Sequence, residues 1–189
     1  MTAWTTKDSE ALYSVKSWCT RFFSVMDAGH VAVAPEGVDG PSIDLRELVD
    51  QVRRRGVAAP ILVRFDGILR ARVRELNAAF NYARREFNYT ARYRSLYPIK
   101  VNQERWVVEA LLAEGRAYGM GLEVGSKPEL LAVMAIADDT EPRLIICNGF
   151  KDDDYILSVT LAAKLGREIL PVVEKLDELD LILKHAARE

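Results

Sequence analysis

Cysteine, long apolar runs and any strong imbalance of charge are all scarce in this chain of 189 residues. Its two cysteines, Cys19 and Cys147, stand far apart and match neither metal-ligand nor redox spacing. No apolar stretch approaches the ~20 residues that a membrane-spanning helix needs. The opening run, Met1 to Asp8, lacks the basic-then-apolar pattern of a signal peptide, so a cytoplasmic protein is expected. A formal charge of -2 gives no electrostatic footing for nucleic acid or an anionic membrane. Arg53-Arg54-Arg55 is the only basic run and reads as the solvated end of a helix. What remains is ordinary globular material: 49% hydrophobic and 29% charged, enough for one domain or one plus an appendage.

The first 20 residues are polar with scattered aromatics (Trp4, Tyr13, Trp18) and carry no clear pattern. Two β-type runs, Arg21 to Met26 and His30 to Pro35, flank Asp27-Ala28-Gly29 and predict a hairpin, with His30 as a structural or exposed residue at its turn. Residues 36–42 read as a linker, and Ser42 or Asp44 caps a short helix through Leu45, Leu48, Val49 and Val52. The expected organisation is an N-terminal segment with a β-hairpin over 1–42, then a strand–helix domain over 43–189.

From Pro60 a regular alternation sets in. Ile61 to Phe65 predicts a strand, followed by a helix whose apolar residues Leu69, Val73, Leu76, Phe80, Ala83 and Phe87 share one face. Further strands are expected to end at Lys100, over Gly121 to Gly125, over Leu144 to Cys147 and over Ile169 to Val173, each followed by a helix. Ser126-Lys127-Pro128-Glu129 is a capping box with proline in the first turn, and Asp152, Asp153 and Asp154 suit the positive end of the next helix. Such alternation implies a parallel sheet, and apolar runs without alternation fit strands buried on both faces. Five units fit an open doubly wound sheet or part of a (β/α)8 barrel. The first strand is not followed by a glycine-rich dinucleotide fingerprint.

In either architecture ligands sit at the carboxyl ends of the strands, where Lys100, Asn102, Glu123, Asn148 and Glu174 fall. Lysine is uncommon here, eight against eighteen arginines. Lys100, in Tyr97-Pro98-Ile99-Lys100-Val101-Asn102-Gln103, is the one flanked on both sides by strand-forming apolar residues. Among such neighbours the charged form is disfavoured and the neutral amine can attack a carbonyl. A Schiff base with a carbonyl substrate, a pyridoxal cofactor and a surface lysine capping a strand are all compatible with that placement. Glu123 can hydrogen-bond a cofactor or the lysine, or stand as a solvated strand-end carboxylate. Asn102 and Asn148 read as turn residues, and Asp66 as a helix cap.

Several segments, in order, carry a resemblance. They are Phe22-Phe23-Ser24-Val25 with Gly29-His30-Val31; Tyr97 to Gln103; Gly121-Leu122-Glu123-Val124-Gly125-Ser126-Lys127-Pro128-Glu129-Leu130; Ile146-Cys147-Asn148-Gly149-Phe150-Lys151-Asp152; and Val173 to Leu181. Together they resemble the N-terminal part of the biosynthetic arginine decarboxylases, in the alanine-racemase-like barrel class with the ornithine and diaminopimelate decarboxylases. The resemblance implies a partial (β/α)8 barrel, with the hairpin belonging to a C-terminal β domain and left with exposed edges. It implies pyridoxal 5'-phosphate held by Lys100, with Glu123 near the cofactor, and L-arginine decarboxylated to agmatine for putrescine and spermidine synthesis. It further implies a homo-oligomer at full length and use of magnesium, for which the sequence offers no site. Family members continue past the equivalent of residue 189 with the phosphate loop, ring-stacking and substrate-recognition residues. The expectation is therefore a fragment, inactive and poorly soluble alone. Another pyridoxal enzyme of the class, such as a racemase or diaminopimelate decarboxylase, or a vestigial cofactor-binding chain, are the alternatives.

Overall fold

A computed structural model describes residues 3–18, 21–37, 40–136 and 143–187; Cys19 lies outside them. The chain divides into two compact units, Met1–Arg72 and Val73–Glu189. None of the helices among the described residues is long and apolar enough to cross a membrane.

The first unit opens with two short helices, α1 (Thr6–Leu12) and α2 (Val15–Trp18). α1 is fixed by a capping box in which Thr5 Oγ1 accepts from the Asp8 N–H and Asp8 Oδ2 accepts from the Thr5 N–H. Strands β1 (Phe23–Val25) and β2 (Val31–Val33) form the expected hairpin, in register Phe23↔Val33 and Val25↔Val31. A third strand, β3 (Ile43–Asp44), pairs with the other side of β2. The hairpin is thus not left with both strands unpaired: β2 is central, and only β1 and β3 are edges. Asp44 then acts in two directions. Its Oδ1 accepts from the Arg46 and Glu47 N–H groups at 2.8 and 3.2 Å and caps α3 (Leu45–Arg54), while Oδ2 lies 2.8 Å from His30 Nδ1. His30 therefore ties the hairpin turn to the helix start, the structural role expected of it. The His30 contact and the two backbone donors, working against desolvation, hold the Asp44 carboxyl below its usual range.

The expected first strand of the barrel does not form. Ile61 to Phe65 forms no regular element and has no ladder partner among the described residues, and Leu62 is 77% exposed. Its apolar composition prepares it for a sheet, but a strand exists only where a neighbour takes its N–H and C=O groups. Helix α4 (Asp66–Glu86) follows as expected, with Asp66 in its first turn. Its apolar stripe is only partly used. Val73 is buried, whereas Leu76, Phe80 and Phe87 are exposed, because helical periodicity offers a face without supplying the surface that covers it. Phe80 stacks on Tyr93, centroids 3.9 Å apart and planes within 6°.

The second unit is built on β4 (Leu96–Pro98), α5 (Arg105–Gly115), β5 (Gly121–Val124), α6 (Lys127–Ile136), β6 (Ile145–Cys147), α7 (Asp153–Lys164), β7 (Ile169–Pro171) and α8 (Leu176–Ala186). The sheet runs β4-β5-β6-β7, parallel throughout, in register Pro98↔Glu123, Glu123↔Ile146 and Cys147↔Pro171. Strand order follows chain order without reversal. A doubly wound sheet reverses at a switch point, so this is singly wound, part of a barrel wall. All four residues of β5 are buried, as a strand covered on both faces requires. Leu122, Val124, Ile145 and Cys147 pack with Val108, Leu112, Leu130, Val133, Tyr155 and Val159 from the crossover helices. Each such aliphatic side chain contributes about 1.5–3 kcal/mol on burial. The α6 box reaches one residue further back than its sequence spacing implies. The Glu129 N–H donates to Ser126 Oγ at 3.4 Å, while Glu129 Oε2 accepts from the Gly125 N–H at 2.7 Å.

Candidate functional site

The parallel order brings the carboxyl ends of β4 to β7 to one edge of the sheet. Lys100 does not sit on β4 itself. The strand stops at Pro98, and Ile99–Val101 form a single 3-10 turn with Ile99 buried and Lys100 exposed. Ile99 thus anchors the turn, Val101 is exposed, and the apolar neighbours do not enclose the ammonium. Tyr97 Oη braces the turn by donating to the Asn102 carbonyl at 3.1 Å. Asn102 Oδ1 accepts from the Glu104 N–H at 3.0 Å, so Asn102 is a turn residue, as expected.

Glu123 faces Pro98 in the β4–β5 register, two residues before Lys100. It is buried and not a solvated strand-end carboxylate; Asn148 Nδ2 donates to its Oε1 at 2.9 Å. Asn148 in turn is fixed by its own N–H on the Val124 carbonyl. The turn residue after β6 therefore orients the acid on β5, a role its sequence context did not reveal. Burial pushes the neighbouring Cys147 thiol up to about 11, against the smaller opposing effects of Tyr155 and Lys151, so it is not a thiolate nucleophile.

The next residue, Gly149, has φ +74, and a Cβ there would stand 2.2 Å from the Gly125 carbonyl oxygen. Both the left-handed backbone and the backbone contact exclude a side chain. Gly149→Ala is expected to cost about 2 kcal/mol or more in urea unfolding, since strain and overpacking add. The Gly149 N–H donates to Glu174 Oε1 at 2.6 Å, so the strand-end acid Glu174 braces the β6–α7 loop.

Sequence reasoning missed the pair beneath this loop. Lys151 is buried, its Nζ donating to the carbonyls of Gly149 (2.6 Å) and Val172 (2.5 Å) and standing 3.5 Å from Glu178 Oε2. Glu178, also buried, accepts from the backbone N–H groups of Lys151 and Glu174, both at 2.9 Å. The pair locks the ends of β6 and β7 together. The only sequence signal was an acid four residues after Glu174, in the first turn of α8; its partner is 27 residues away.

The lysines at this edge are therefore sorted. Lys127 pairs with Asp154, Lys151 with Glu178, and Lys175 lies 4.1 Å from the centroid of the exposed Phe150 ring. Lys100 alone has no hydrogen bond, ion pair or ring contact with a described residue.

Residues 73–189, the whole of the second unit, match the sequence profile described as pyridoxal-dependent decarboxylase, pyridoxal binding domain. The chain belongs to this decarboxylase family. Among its curated relatives, the biosynthetic arginine decarboxylase of Rhodopirellula baltica is 50% identical over 183 residues, 97% of this chain and 27% of that protein. That of Bacteroides thetaiotaomicron is 48% identical over 186 residues, 98% of this chain and 29% of that protein. The crystal structure of the biosynthetic arginine decarboxylase from Campylobacter jejuni superposes with a TM-score of 0.85 at 32% identity, covering 94% of this chain and 29% of that one. That likeness agrees with the partial barrel expected for the chain. The chain spans less than a third of the length of these relatives.

Proposed function

We propose that this chain carries the cofactor-bearing lysine of a pyridoxal-phosphate-dependent decarboxylase that converts L-arginine to agmatine and carbon dioxide, the entry to putrescine and spermidine. The observation that carries the reading is the isolation of Lys100, the one lysine at the carboxyl edge whose ammonium is exposed and without a described partner. An amine that must bond an aldehyde has to be accessible and free to lose its proton, and the other lysines at that edge are engaged. The residues present fit the cofactor: a braced turn holds the amine, and a buried acid stands one strand away. Pyridoxal phosphate, when bound, supplies the sink for the electron pair released with carbon dioxide.

The chain's own residues do the positioning. Tyr97 and Ile99 fix the turn that carries Lys100, so its side chain projects from a constant root. Asn148 presents the second Glu123 oxygen by holding the first, which aims a hydrogen-bond acceptor across the strand end. Gly149 lets the β6 loop pass against Gly125. Among the described residues, no group of three or more His, Cys, Asp or Glu gathers to hold a metal.

The arginine assignment rests on family membership and on relatives of that name. A chimera in which this chain replaces the matched segment of one of those relatives tests it. Agmatine release, with ornithine, lysine and diaminopimelate turned over at least about 10²-fold more slowly, is the expected result. A chimera that folds and binds the cofactor but prefers diaminopimelate, or racemises its substrate, would assign the chain to another branch.

A further inference from the structure

The topology that gathers Lys100, Glu123 and Asn148 at one edge of the sheet gathers a different set at the other. Arg92 and Arg94 precede β4, Gly119 and Met120 precede β5, Arg143 precedes β6 and Glu168 precedes β7. With Arg116 they line a cavity of about 360 Å³ at the amino-terminal edge. Four arginines, of which Arg116 is otherwise engaged, therefore line one cavity with a single carboxylate, in a chain whose formal charge is -2. The excess of positive charge is built locally, inside a concavity that focuses the field.

The single carboxylate is already spent. Arg94 grips Glu168 with both Nη1 and Nη2, at 2.6 and 2.7 Å, and its Nε reaches the Gly119 carbonyl at 3.4 Å. Arg143 uses one nitrogen on the Leu112 carbonyl at 3.2 Å. Arg92 makes no hydrogen bond with a described residue and acts on Glu168 through space, adding to the Arg94 contact that holds that carboxyl below its usual range. Gly119 makes this close approach workable. It has φ +67, and a Cβ there would stand 2.8 Å from an Arg92 guanidinium nitrogen. Guanidinium groups crowded on one cavity repel each other unless an anion joins them, and their planar forks match phosphate oxygens two at a time.

We propose that this cavity is a binding site for a phosphate or polyphosphate group, at the opposite edge of the sheet from Lys100. A monocarboxylate would satisfy one guanidinium and leave the rest; a multiply charged tetrahedral anion answers several. Glu168 is the built-in competitor, holding Arg94 until the anion draws on it.

Calorimetric titration of the 189-residue chain with pyrophosphate at low salt tests the site. Saturable binding is expected, weakened at least tenfold by Arg92→Ala and by Arg143→Ala, and unchanged by Arg53→Ala on α3. Glu168→Gln is the deciding variant, because it removes the competing charge and releases Arg94. Binding should tighten severalfold, which damage to the fold would not produce. ATP binding more tightly than pyrophosphate would mark a nucleotide as the source, and equal binding the free anion; either supports the site. The proposal is overturned by an absence of saturable binding, by Arg53→Ala weakening binding as much as Arg92→Ala, by citrate matching pyrophosphate, or by a Glu168→Gln affinity no higher than the parent's.

Discussion

Lys100→Ala is expected to remove cofactor attachment outright. Incubating the parent chain with pyridoxal phosphate, reducing with borohydride and mapping peptides should place the label on the peptide containing Lys100. The variant should show no label there and no compensating label at Lys151, whose ammonium is buried and engaged by two carbonyls and a carboxylate. In the active chimera, the same substitution should lower arginine decarboxylation by at least about 10³-fold, the scale of losing a positioned covalent group. Lys100→Arg should not rescue either reading. The guanidinium keeps the charge but stays protonated and has no free amine. Unlabelled Lys100 in the parent chain, with label scattered over the exposed lysines, would sink the assignment.

Glu178→Gln should be the most damaging single change to stability, at about 3–5 kcal/mol by urea unfolding. The wild-type carboxylate sits in a dry setting, accepts two backbone N–H groups and offsets the Lys151 ammonium. An amide keeps one acceptor, turns a donor toward a backbone N–H and leaves the lysine uncompensated. Since a whole domain is stable by only about 5–15 kcal/mol, much of the second unit's margin would go. Replacing both partners by apolar residues, Lys151→Met with Glu178→Leu, should recover part of the loss, because the penalty lies in the orphaned charge. The pair also predicts a pH dependence. Burial pushes the Glu178 carboxyl up, but the Glu174 and Lys151 N–H groups and the Lys151 ammonium outweigh it and leave it below its ordinary value. A carboxyl lower in the folded than in the unfolded chain stabilises above the ordinary carboxylate range. That contribution is lost as pH falls through the folded value. Glu178→Gln should flatten the acid limb of a stability-against-pH curve; an unchanged limb would contradict this account.

What the sequence disclosed and what it withheld divide by distance along the chain. Helices α5 to α8 were legible because their signals are local: apolar spacing, the Ser126–Glu129 box, and Asp152, whose Oδ1 does cap α7 on the Tyr155 N–H at 2.7 Å. The carboxyl edge of the sheet was legible too: Glu123 lies on β5, and Lys100 lies just past the end of β4. Most of the failures needed a partner from elsewhere. Ile61 to Phe65 has strand composition and no described neighbour to pair with. Ile43-Asp44 is too short to announce itself, and becomes a strand only because β2 offers a free side. Lys100 moved from a strand to a turn because Pro98 and the Tyr97 contact with Asn102 shape the local backbone. The Lys151–Glu178 lock joins two loops that no spacing rule connects.

The unreversed order of β4 to β7 also bears on how the second unit comes into being. Paired residues on adjacent strands lie only roughly 25 residues apart, so each pairing closes a short loop, and the entropy of closure stays nearly constant as the wall grows. No strand must wait for a distant segment before it can be seated. The wall can therefore assemble one strand–helix unit at a time in the order in which a ribosome delivers them, each new strand templated by the exposed rim of its predecessor.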